Sequence, residues 1–157
     1  MKSKDNFKAE YVDKYFSAAI FMSSDPLSVV LKAHMLVENL IERLIASRLK
    51  KENILDERDF TFHLKIKLIE SMNLLTEDLL VSIRRLNKIR NDLAHEIKTD
   101  FEQLDISDVL KCFEQYIPKY EPHYSQADKM QKFGFAMYHL LATLSGIVDL
   151  AARVHKS

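Results

Sequence analysis

Residues 77–97 read Glu-Asp-Leu-Leu-Val-Ser-Ile-Arg-Arg-Leu-Asn-Lys-Ile-Arg-Asn-Asp-Leu-Ala-His-Glu-Ile. At about 100° of rotation per residue, Leu79, Ile83, Leu86, Leu93 and Ile97 fall on one arc of an α-helix. Thr76, Glu77 and Asp78 just before them supply a cap and an acidic first turn. The stretch is therefore an amphipathic helix, with two departures from a plain one. Arg90 lies near the middle of the apolar arc, a permanent charge where a core side chain is expected. Asn87, Asn91 and His95 follow one another at i, i+4 as a polar ridge bordering that arc, with Arg84 beside it.

Outward from this helix, the whole chain has 157 residues, enough for one well-buried core. Only two glycines and three prolines are present, so there is little turn chemistry for hairpins, and few, long helices are predicted. Lys plus Arg equals Asp plus Glu at 23 each, so any nucleic-acid contact must come from a local patch rather than from net charge. Cys112 is the lone cysteine and reads as a small buried thiol beside Val109, Leu110 and Phe113. With no intramolecular disulfide available, a reducing cytoplasm is expected. Residues 1–6 lack an apolar run after their lysines, and no stretch reads as long enough to span a bilayer, so the expectation is a soluble cytoplasmic protein without membrane association.

In chain order, Tyr11, Tyr15, Phe16, Ala19 and Ile20 predict an N-terminal helix within residues 1–24. Asp25-Pro26 is a helix start, an acceptor side chain for free amides followed by a residue that suits the first helical position. A long helix over 26–50 follows, with Val30, Ala33, Val37, Leu40, Ile41 and Leu44 on its stripe and His34 and Glu38 on one flank. Residues 60–68 alternate apolar and polar, a strand-like period, but no partner strand exists elsewhere. Phe62, Ile66 and Ile69 also fit a short helix with Lys65 outside, and that reading is preferred. Beyond the helix over 77–97, a fifth helix is expected over 107–117, ended by Pro118 and Pro122, and then a last one over 125–154 in which Gly134 and Gly146 mark close helix contacts. The fold expectation is all-α: a single domain over 1–157 forming a bundle of five to six helices, with a core at 25–117 and a long C-terminal helix within 124–155.

Two readings of Arg90 stand side by side. One is a buried ion pair with Glu38 or Glu42 of the long helix. The other uses the guanidinium as a planar fork for a phosphate, with Glu38 orienting it and one edge left free. His95 adds a group that exchanges protons near neutral pH, and arginine beside it stabilises charge on a phosphoryl group. Five residues apart on a regular helix, however, the two point roughly 140° from one another. Either the helix is distorted, the arginine reaches around, or two copies of the motif meet across a dimer. Arg84, Arg85, Lys88 and Lys98 form a basic run near His95 that fits an RNA backbone. No histidine–cysteine spacing suits a metal, and no cofactor motif is present.

Arg90-Asn91-Asp92-Leu93-Ala94-His95 resembles the signature of the HEPN superfamily, an arginine followed after four to six residues by a histidine, usually with a polar residue directly after the arginine. The order of elements adds to the likeness: a long helix with an acidic residue in Leu36-Val37-Glu38-Asn39-Leu40, then His63-Leu64-Lys65-Ile66-Lys67-Leu68-Ile69, then the motif near a helix end. This order is also similar to the helical family named for the mannitol operon repressor. The resemblance covers about residues 26–113. It implies a metal-independent endoribonuclease, a toxin or phage-defence effector, working as a homodimer with two motifs facing one cleft. On that basis Arg90 stabilises the scissile phosphate, His95 transfers protons during 2′-hydroxyl attack, and Asn91 orients one of them. Glu38 and Asn87 are inferred as supporting residues from their places on their helices. RNA is the implied substrate, and an antitoxin or regulatory protein the implied partner. The alternative is a noncatalytic regulatory or protein-interaction module, since the superfamily holds both kinds.

Overall fold

A computed structural model describes residues 25–49, 60–95 and 99–154. The expected N-terminal helix, the connection over 51–59, Ile97 and Lys98 lie outside the described residues. The first described helix, α1 (Pro26–Ala46), begins as its sequence dictates: the Asp25 side chain accepts from the Leu27 and Ser28 amides, and Pro26 occupies the first turn. Its stripe is fully enclosed, from Val29 and Val30 through Val37 and Leu40 to Ile45. It is the central helix, packed against each of the three other helices of ten or more residues.

The alternating run is helical: α2 spans Phe62–Ser71, with Thr61 accepting from the Leu64 amide as its cap. It closes on Asn73, whose φ of 52° is the left-handed conformation that asparagine tolerates. There the Leu74 amide donates to Ile69 O at 3.1 Å and the Asn73 amide to Glu70 O at 3.0 Å, the paired bonds of a Schellman ending. Lys65 was expected outside, but it is buried, for a reason given below.

The helix α3 (Glu77–His95) runs unbroken through the motif and buries Leu79, Leu80, Ser82, Ile83, Leu86 and Ile89. Residues 107–117 depart from expectation. In place of one α-helix there are two 3₁₀ turns, Val109–Cys112 and Glu114–Tyr116. Ser82 of α3 supplies the cause. Its fully buried hydroxyl donates to Asp108 O at 3.2 Å and accepts from the Cys112 amide at 3.1 Å, sitting between the two backbone groups that an α-helix would join directly. Pro118 does not end a helix; it lies in the first turn of the short α4 (Ile117–Tyr120), which α5 (His123–Gln126) follows.

The last helix, α6 (Lys129–Val154), starts later than expected because Asp128 and Gln131 form a reciprocal cap, each side chain accepting from the other's backbone amide at 2.8 and 2.9 Å. Its inward face, from Phe133 through Met137, Leu140, Leu141 and Leu144 to Val148, packs on α1 and on the Val109–Cys112 turn. By length and composition α6 could cross a membrane, which corrects the expectation that no stretch is long and apolar enough; in this bundle its apolar face is core. Gly134 is buried, whereas a Cβ at Gly146 would meet nothing within 4 Å, so no close contact requires glycine there. The described residues form an all-α bundle of six α-helices without strands, around one shared core. Cys112 lies in that core, and burial pushes its thiol up from the ordinary range.

Candidate functional site

The apolar arc of α3 reaches the surface near its C-terminal end. Leu86 and Ile89 are fully buried, Arg90, Asn91 and Leu93 are half-buried, and Ala94 and His95 are exposed. Arg90 therefore sits where the arc opens, and its aliphatic stem can lie in the core while the guanidinium meets the rim. Its Nη1 donates to Asn91 Oδ1 at 2.8 Å. The ion pair expected with Glu38 or Glu42 does not form. Both carboxylates are taken by Lys65 of α2, whose Nζ lies 2.7 Å from Glu38 Oε1 and 2.5 Å from Glu42 Oε1. Burial works to lower the Lys65 pKa, but its two carboxylate bonds outweigh it and hold the ammonium above the ordinary range. Among the described residues Arg90 has no carboxylate partner.

The polar ridge is split by the packing. Asn87 turns inward, and its Oδ1 lies 3.0 Å from His34 Nε2 of α1. An amide oxygen only accepts, so Nε2 carries the imidazole proton and Nδ1 keeps its lone pair, 3.9 Å from Glu38 Oε2. The His34 ring rests on Phe62 of α2, with centroids 4.6 Å apart. Burial pulls the His34 pKa below its ordinary value, the Asn87 bond and Glu38 oppose that, and the charges of Arg90 and Lys65 add to it. Glu38 thus stands behind His34 and on Lys65 rather than on Arg90.

Around the outside of α3, the continuous helix places Arg84, Lys88 and His95 along one strip, about 140° from Arg90 at the histidine and about 7.5 Å farther along the axis. Distortion of the helix is therefore not what unites the motif. His95 is exposed and makes no hydrogen bond or ion pair among the described residues. The neighbouring cations have partners of their own. Arg84 pairs with Glu70 at 2.8 Å and Glu77 at 3.3 Å, Lys88 with Asp92 at 3.1 Å, and Arg85 donates from Nε to Asp105 O at 2.9 Å. The site thus has an inner half, Arg90 with Asn91, Asn87 and His34, and an outer half around His95. His34 and Lys65 were the residues missed; the i, i+4 spacing of His34 and Glu38 was a visible signal for the first, and nothing local marked the second. Among the described residues no three His, Cys, Asp or Glu side chains gather as a metal site.

No protein-family model, curated protein or solved structure matches the chain.

Proposed function

We propose that this chain is a homodimeric RNA-cleaving protein of HEPN type, working without a metal. The observation that carries this reading is the half-buried Arg90 guanidinium, which among the described residues pairs with no carboxylate, Glu38 and Glu42 of α1 being spent on Lys65. A cation left in that state favours an anionic ligand, and the planar fork of arginine suits a phosphate. The 2′-oxygen attacks phosphorus, a base takes the 2′-hydroxyl proton, the bond to the 5′-oxygen breaks, and that oxygen receives a proton. Cyclic phosphate and a 5′-hydroxyl end result. His95 exchanges these protons with solvent access, Arg90 stabilises the charge gathering on the phosphoryl oxygens, and Asn91 fixes the plane of Arg90.

The separation of Arg90 and His95 on an unbroken helix supports a composite site, in which the inner half of one copy faces the outer half of another. Purified protein incubated with an RNA oligonucleotide in EDTA is expected to give those end groups. Arg90→Gln and His95→Ala are each expected to be inactive alone and to regain cleavage when mixed, because one of the two sites in the mixed dimer is then intact. Uncut RNA, or cleavage by His95→Ala equal to wild type, overturns the reading.

One observation favours a noncatalytic interaction module instead. Arg84, Arg85 and Lys88, assigned to the RNA backbone, are each held by a group of the same chain. Strong salt dependence of RNA binding counts for the ribonuclease, and salt-insensitive or absent binding for the module.

A further inference from the structure

The inner half contains a titratable group that the cleavage scheme does not use. We propose that His34 is a positioning residue that makes the affinity of the Arg90 site for a phosphate-like dianion rise as pH falls. The inference rests on reading Arg90 as an anion site. Its geometry joins α1 to α3 through two contacts and one turn of helix. Glu38 of α1 lies 3.9 Å behind His34 Nδ1, Nε2 holds Asn87 of α3 at 3.0 Å, and Asn87 stands one turn before Arg90 on the same side of α3. Phe62 covers the ring, and both ring nitrogens face protein groups, so His34 tunes the site rather than touching the ligand.

The charged groups acting on His34 are Glu38 of its own helix, Arg90 of α3 and Lys65 of α2, with Glu42 joined through Lys65. Two carboxylates and two cations balance when the imidazole is neutral, so an added proton leaves the cluster positive. A dianion bound at Arg90 reverses that, and the second imidazole proton is then welcomed on Nδ1, which already faces the Glu38 carboxylate. Each event favours the other by the same factor, as linkage requires. The Nε2–H bond to Asn87 survives in both states, so the change is one of charge with the Asn87 side chain held in place.

Sodium sulfate is the probe, because it stays a dianion across the range in which histidine titrates. Binding to the full chain is followed by NMR at pH 5.5 and 7.5 at constant ionic strength. Wild type is expected to bind on the order of fivefold tighter or more at pH 5.5, and sulfate to raise the His34 titration midpoint. His34→Gln, which keeps a donor for Asn87 but takes no charge, is expected to bind sulfate equally at pH 5.5 and 7.5, losing the gain on acidification. Arg90→Gln is expected to lose the binding. Equal affinity at both pH values, a gain retained in His34→Gln, or sulfate bound away from Arg90 overturns the inference. RNA cleavage is scored separately: no cleavage with the sulfate coupling intact sinks only the ribonuclease reading, and cleavage with no coupling sinks only this one.

Discussion

Two cations approach α1 from neighbouring helices, and the protein treats them in opposite ways. Lys65 of α2 is buried and clamped by Glu38 and Glu42, while Arg90 of α3 is half-buried and, among the described residues, bonds to the Asn91 amide oxygen and to no carboxylate. Taking a charge out of water is costly unless a partner and satisfied hydrogen bonds offset it. Lys65 meets that condition internally and is part of the fold. Among the described residues Arg90 does not, and the proposed function assigns its charge to a phosphate. The lesson is that a cation in an apolar stripe is assigned to structure or to function by where the nearest carboxylates are spent, which its own helix does not reveal.

The largest effect that would break this contrast is on chemistry. Arg90→Gln is expected to cut RNA cleavage by about 100-fold or more, the scale of losing a group that stabilises transition-state charge, while leaving urea unfolding nearly unchanged. A large loss of stability instead would place Arg90 in the same structural role as Lys65. Next, Lys65→Met is expected to destabilise by about 2 kcal/mol in chemical denaturation. That lies below the cost of breaking a wholly buried pair, because Glu38 and Glu42 are about a third exposed and water screens them. Arg90→Met in the same assay should stay within about 0.5 kcal/mol of wild type, the range of changes away from packed or paired features.

A smaller effect tests the 3₁₀ segment. Ser82→Ala removes the hydroxyl between Asp108 O and the Cys112 amide and is expected to cost about 1–2 kcal/mol, as for a buried hydrogen-bonding group left without its partner. No loss, with added helical signal, would mean that the freed groups pair directly and that the hydroxyl alone kept residues 109–112 from being α-helical.

The smallest effect is the pH dependence of stability. The His34 midpoint in the fold lies below its ordinary 6.5, so on acidification the unfolded chain takes up the proton first. Its contribution is complete above about pH 6.5 and is lost as pH falls through the folded-state midpoint. Unfolding free energy measured at pH 7.5 and 5.5 should drop more for wild type than for His34→Gln; identical slopes would show that His34 is not neutral in the fold.

Much of the bundle could be read residue by residue, and the misreadings have specific causes. Asp25-Pro26 and the stripe from Val30 to Leu44 announced α1, and α3 was plain from Leu79, Ile83 and Leu86. The 107–117 segment misled because its interruption comes from a serine on another helix. Lys65 misled because a lysine on a short amphipathic helix reads as solvent-facing until two glutamates from α1 arrive beside it. In the site, Arg90 stood out at once as a charge among apolar neighbours, and Asn91 as the polar residue next to it. His34 did not, since its partner Asn87 is 53 positions away in sequence.

The sequence by itself determined the long helices, the Asp25 cap and the one charge that does not belong in its stripe, because periodicity and capping are local and act within a few residues. Only the tertiary structure decided which carboxylates meet which cations and which histidine lies behind Asn87. Those pairings are set by how α1, α2 and α3 pack, and the balance between burying a charge and neutralising it is settled across helices rather than along one.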